Sequence, residues 1–278
     1  MDKNEANFST FCPHRQKKYT CKHKLILPCF VIIIKQLKTQ NFFVILQKQK
    51  QKNSNFMSKR VTFTDIKNSD EIRTYIKQAD ASLEVLGYTE HSFAHATKCA
   101  KTAEMLLKGL GYSEHQIELA KIAAYMHDIG NVINRNDHAQ SSAVMAFRIL
   151  DKMGMAPEDT AAIITAIGNH DEKTAFPVNA IAAAVILADK TDVRRSRVRN
   201  QPNILSDIHD RVNYAVEKAE LKLDNKEKTL TVYFTIDTEI SPVMDYFEIF
   251  LDRMLLCSKA ANFFGLKFKI NINGNYLL

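Results

Sequence analysis

Six residues able to bind a metal ion fall along the middle of the chain where a core should be: His95, His127, Asp128, His138, His170 and Asp189. His95 shares a helical face with Cys99, Ala103 and Leu106, and His127 follows Ala120, Ala123 and Ala124. His138 leads into Ser142, Met145 and Ile149, His170 continues Ile163, Ala166 and Ile167, and Asp189 continues Ala182, Val185 and Ile186. Each sits on the stripe that should face inward. A single histidine there is ordinarily a satisfied core residue, but an unpaired buried carboxylate costs several kcal/mol. Four histidines and two aspartates converging from five helices is a pattern that a metal explains. Imidazole with carboxylate suits iron, manganese, cobalt, nickel or zinc, and not calcium. His127 and Asp128 are adjacent and diverge by about 100° on a helix, so both reach one ion only where the helix ends.

The elements that must carry these residues are helical from 68 to about 200. The apolar period predicts helices near 69–86, 92–108, 113–128, 138–153, 158–170 and 178–199. Ser113 with Gln116 forms a capping box, Gly109 and Gly111 close the preceding helix, Gly154 ends another and Pro157 opens the next. After 200 a short helix near 206–217 precedes "AELKLD" (219–224) and "TLTVYFTI" (229–236), the latter alternating as a half-buried strand does. Ser241 and Pro242 start a long helix with a stripe from Val243 to Phe264; Gly265 stops it and "KFKININ" (267–273) alternates again. The expected architecture is mainly α: a helical domain over 57–200, then a small α+β subdomain over 201–278 with a three-stranded antiparallel sheet covered by a helix. That subdomain reads as a structural or oligomerising appendix.

Charge is unevenly spread. The 278 residues carry a formal +7, yet residues 1–56 hold eleven Lys/Arg against Asp2 and Glu5, a net +9 that leaves −2 for the rest. The pI is therefore no argument for a nucleic-acid partner. The leader contains none of the glycines, and its apolar run "LILPCFVIII" (25–34) is short of the ~20 residues that cross a bilayer. We read 1–56 as a disordered or artefactual basic extension. Cys12, Cys21 and Cys29 lie there; Cys99 and Cys257 in the body read as buried free thiols, consistent with a cytoplasmic protein without a membrane segment.

At this point the sequence resembles the HD-domain metal-dependent phosphohydrolases. The family pattern H…HD…D is matched by His95, His127–Asp128 and Asp189 over residues 90–200, and "YSEHQIELAKIAAYMHDIGN" is similar to the approach to the HD pair in the HD-GYP subgroup. His138 and His170, the latter in "GNHDE", match the extra histidines of two-metal members, with Asp171 in place of a second histidine. Asn131 replaces the lysine of "HDIGK" and no GYP motif follows Glu172, which argues against cyclic di-GMP phosphodiesterase activity; the acidic pair of alarmone hydrolases is missing too.

The resemblance implies an HD-domain helical bundle and a phosphohydrolase with two divalent transition-metal ions. His95, His127, Asp128 and Asp189 would hold one ion, and His138, His170 and a bridging Asp128 the other, with His127 and Asp128 at the catalytic centre. Ions so placed would ionise water for attack on phosphorus. His91, one turn before His95, is a further ligand or orients one; Asp171 either ligates or orients, and Asp192 orients. Lys190, Arg194, Arg195 and Arg197 are candidates to grip a small phosphorylated substrate, or else a solvated helix end. Glu172 reads as a solvated charge and His209 as structural. Two rival functions use the same residues: an HD-fold di-iron oxygenase, and a non-catalytic ligand-binding module.

Overall fold

The computed structural model describes residues 60–199 and 207–277; the basic extension and its three cysteines lie outside them. Helices α1 (Phe63–Asn68) and α2 (Asp70–Val85) come first among the described residues, capped by Thr62 and Ser69. Ile72, Ile76, Ala79 and Leu83 give α2 one buried stripe. Helix α3 (Phe93–Gly109) starts at the Ser92 cap and α4 (Glu114–Met126) at the expected Ser113–Gln116 capping box. Helices α5 (His138–Lys152) and α6 (Pro157–Gly168) follow, the latter with Pro157 in its first turn. Gly111 and Gly154, at φ +77° and +78°, make the left-handed turns that only glycine adopts without strain.

α4 stops at Met126, two residues short of the expected end, and Asp128 precedes a 3-10 turn, Ile129–Val132. The close approach of this turn to α5 explains the break. Gly130 N–H donates to Ser142 Oγ at 2.7 Å, and a Cβ on Gly130 would lie 2.4 Å from His138 O and Ser142 N. Any larger residue would push the turn off α5.

Helix α7 (Ala180–Lys190) is buried from Ile181 to Lys190 on every side, which accounts for its run of alanines. The expected helix to 199 ends here instead. Thr191 Oγ1 bonds back to Leu187 O at 2.6 Å, Arg194 is extended, and only a short 3-10 turn, Arg195–Arg197, follows. The arginines leave the helix because acceptors fixed on other elements claim them: Glu90 O for Arg197 and Tyr214 O for Arg195.

Helix α8 (Ile208–Ala215) runs into β1 (Val216–Asp224), which forms an antiparallel hairpin with β2 (Thr229–Ile236). Helix α9 (Val243–Phe263) then crosses over to β3 (Lys267–Ile272), and a tight Asn273–Gly274 turn adds β4 (Asn275–Tyr276). The mainly α architecture is as expected, but the sheet is not. It has four strands in the order β1-β2-β3-β4, and β2 pairs with β3 in parallel. The reason is the connection: a helix returning the chain from one strand to its neighbour leaves the two running the same way.

Ser58–Leu278 forms one compact unit with two hydrophobic clusters. One lies among α2 to α7; in the other Tyr246, Phe250, Met254 and Cys257 of α9 pack on Val232, Phe234 and Ile270 of the sheet. α7 serves both, giving Ala182 and Val185 to the first and Ala183, Ile186 and Leu187 to the second. Among the described residues no helix is long and apolar enough to cross a membrane.

Candidate metal centre

Five imidazoles are held by the same ring nitrogen. Nδ1 of His91 lies 2.7 Å from Thr89 O, that of His127 2.8 Å from Ala124 O, that of His138 3.0 Å from Arg135 O and that of His170 2.6 Å from Ile167 O. Nδ1 of His95 lies 2.8 Å from Asp192 Oδ2. Carbonyl and ionised carboxylate oxygens only accept, so each Nδ1 carries a proton and each ring, when neutral, offers an Nε2 lone pair. Ala124 and Ile167 lie in the last turns of α4 and α6, three residues before their histidines, and Arg135 lies in the loop three residues before His138.

The free nitrogens gather around two carboxylates. Asp128 Oδ2 lies 3.1 Å from His127 Nε2, 3.7 Å from His95 Nε2 and 3.9 Å from His91 Nε2. Asp128 Oδ1 faces the other way, 3.4 Å from His138 Nε2 and 3.7 Å from His170 Nε2. Asp189 Oδ1 is 3.4 Å from His95 Nε2 and 3.6 Å from His127 Nε2. Two atoms bound to one ion at about 2.0–2.2 Å lie about 3–3.5 Å apart, so these spacings suit a shared cation. His127 Nε2 is also buried without an aligned hydrogen bond, and the Nε2 atoms of His138 and His170 face each other at 3.1 Å. Lone pairs opposed in this way repel unless a proton or cation lies between them.

Without a cation, a proton takes part of that role. Burial disfavours the charged form of His127, but Asp128 and Asp189 outweigh it and push the pKa up to about 10. Burial likewise opposes ionisation of Asp128 and Asp189; His127 beside the first and Lys190 beside the second hold both well below the usual carboxylate range. His138 goes the other way, down to about 3, chiefly through burial, which outweighs the attraction of Asp128 and is reinforced by the nearby charges of Arg135 and Lys190. The same cluster thus contains one ring built to carry charge and another built to stay neutral.

Residues 89–195 match the family model of the HD domain. That segment is an HD domain. The matched segment contains every residue of the cluster. The chain is also similar to the uncharacterized protein MJ1020 of Methanocaldococcus jannaschii, at 25% identity over 65% of this chain and 78% of that one. A crystal structure titled "predicted HD superfamily hydrolase", from an uncultured Thermotogales bacterium, aligns with 45% of this chain and 67% of its own at 24% identity and a TM-score of 0.37.

The cluster opens into a cavity of about 450 Å³, with His91, Asp128, His138 and Asp189 among its walls. Its cations are Arg135, Lys190, Arg197 and Arg253. Lys190 is buried between Asp189 Oδ2 at 2.6 Å and Glu172 Oε2 at 3.1 Å. Arg197 is buried too, donating to Glu90 O and Asp192 O, both at 2.8 Å. Arg194 binds Asp192 Oδ1 at 2.9 Å, and Arg195 turns to Tyr214, so neither lines the cavity. Asp192, fully buried, is the acceptor for His95 and also meets Lys98 Nζ at 2.9 Å. Asp171 serves the local turn instead, its carbonyl accepting from Ala175 N–H at 2.7 Å and from Thr174 N–H at 3.0 Å.

Several wall residues escaped the sequence reading. Arg135 sits half-buried between Asn131 Oδ1 at 3.2 Å, His138 Nε2 at 3.4 Å and the Tyr88 ring, and pairs with no carboxylate among the described residues. Its place three residues before His138 was the available signal. Glu172 is not solvated; its Oε1 lies 2.6 Å from Arg253 Nε, a charge contact without hydrogen-bond alignment. His209 and Asn213 of α8 line the cavity with Phe250 and Arg253 of α9. Cys99 packs 3.6 Å from His95 Nε2; burial pushes its thiol up, and its Sγ faces Ala188 O.

Proposed function

We propose that this HD-domain protein is a metal-dependent phosphohydrolase acting on a small phosphorylated substrate. The observation that carries the reading is the split of Asp128, one oxygen toward His95 and His127 and the other toward His138 and His170. His95, His127, Asp128 and Asp189 would hold one divalent ion, and His138, His170 and the same Asp128 a second, from among Fe, Mn, Co, Ni and Zn. Such ions lower the pKa of water from 15.7 to about 7 and offset phosphate charge.

The chain's own residues do the rest. Four main-chain carbonyls and Asp192 keep the five Nε2 atoms deprotonated and aimed. The buried alanines of α4 and α7 keep bulk water out of the space behind these side chains, which strengthens every charge interaction in front of them. Arg135, whose charge no carboxylate among the described residues matches, is the cation best placed to take a phosphate oxygen. That unmatched charge favours an anionic substrate over the dioxygen of an oxygenase.

The test is metal content of the purified protein by mass spectrometry, with hydrolysis of nucleotides, dinucleotides and sugar phosphates. Wild type should carry close to two ions per chain, and Asp128→Ala should lose both ions and activity. Full metal and activity in Asp128→Ala and His127→Ala would sink the site; oxygen uptake without phosphate release would favour the oxygenase.

A further inference from the structure

Asp189 presents its oxygens to different neighbours. Oδ1 faces His95 and His127 at 3.4 and 3.6 Å, whereas Oδ2 lies 2.6 Å from Lys190 Nζ. Lys190 Nζ is shared with Glu172 Oε2 at 3.1 Å, and Glu172 Oε1 reaches Arg253 Nε at 2.6 Å. The charges alternate from the ligand cluster outward: carboxylate, ammonium, carboxylate, guanidinium. Arg253 belongs to α9, beyond the segment matched as an HD domain, and its guanidinium lies over the Phe250 ring at 4.5 Å.

We propose that Glu172 and Arg253 are positioning residues that set, through Lys190, how strongly Asp189 donates to a cation. This rests on the metal-centre reading above. Lys190 divides its attraction between two carboxylates. When Arg253 is removed, Glu172 lacks its outer partner and draws Lys190 away, leaving Asp189 richer in charge. When Glu172 is removed, Lys190 turns wholly to Asp189, whose carboxylate becomes the poorer donor. The two losses therefore act in opposite directions, whereas a purely structural role would weaken the site in both.

The full chain, stripped of metal by chelator, is titrated with Co(II) in competition with a fluorescent chelating indicator, and activity is measured in parallel. Arg253→Met should bind Co(II) more tightly and Glu172→Gln more weakly, each by about tenfold, the low end for residues that support metal ligands. Glu172→Asp separates contact from general field. It keeps the charge but withdraws the carboxylate by one methylene, and it should weaken binding as Glu172→Gln does. Wild-type affinity in Glu172→Asp, or a shift of the same sign in Arg253→Met and Glu172→Gln, overturns the relay. Should Arg253→Met not fold, the Glu172 pair decides alone. A wild type that takes up no Co(II) overturns the metal centre and the relay with it, while a binding wild type with unchanged variants overturns the relay alone.

Discussion

At the scale of single residues, the cavity's charges sort by whether they are already matched. Lys190 is matched by Asp189 and Glu172, Arg253 by Glu172, and Arg197 is occupied by two carbonyls, but among the described residues Arg135 has only neutral partners and an aromatic ring. Replacing Arg135 with Met should raise KM for a phosphate ester about tenfold, as loss of one charge-assisted bond does. Metal content should be unchanged. Steady-state kinetics with metal analysis checks this, and a KM equal to wild type would exclude the role. The histidines give a pH prediction for the metal-free protein. The folded pKa of His127 stands at about 10, above the ordinary 6.5. Its stabilising contribution is therefore complete below about pH 6.5 and disappears as pH rises toward 10. Urea unfolding at pH 6.5 and 9.5 should show wild type losing more stability across that interval than His127→Gln.

At the scale of elements, the HD pair is useful only because α4 gives way to a 3-10 turn, and that turn needs Gly130. Gly130→Ala would place a methyl 2.4 Å from two main-chain atoms of α5. It should cost about 1–3 kcal/mol in a urea melt and reduce bound metal by displacing Asp128. The helices from α2 to α6 were legible because an apolar stripe in each coincides with a local boundary signal, a cap, a glycine or a proline. Ser113 with Gln116, Gly154 and Pro157 each mark a boundary by chemistry local to it. The parallel pairing of β2 with β3 was not legible, since alternation tells which side faces inward but not which neighbour a strand joins. Two-residue β4 is too short to alternate at all. The histidine–aspartate cluster could be read because ionisable groups on apolar stripes are conspicuous. Arg135, Glu172 and Arg253 could not, because a charge in a loop or on a helix flank looks the same whether it faces solvent or a cavity.

At the scale of the whole molecule, the region expected to be an appendix instead supplies part of the wall. α8 and α9 line the cavity, and the sheet layer covers one side of α7. A chain truncated after residue 200 would expose Ala183, Ile186, Leu187 and Leu106, losing about 1.5–3 kcal/mol for each large side chain uncovered. Such a fragment should lack cooperative unfolding by calorimetry. A sharp transition in it would show that the helical layer is self-sufficient.

The acceptors that aim the imidazoles have a consequence for how the protein tolerates change. For His91, His127, His138 and His170 the acceptor is a main-chain oxygen, which every amino acid possesses, so drift at Thr89, Ala124, Arg135 or Ile167 leaves it in place. His95 alone relies on a side chain, and that side chain also gathers Lys98, Arg194 and Arg197. Asp192 is thus the single point at which one distant substitution could turn a ring around.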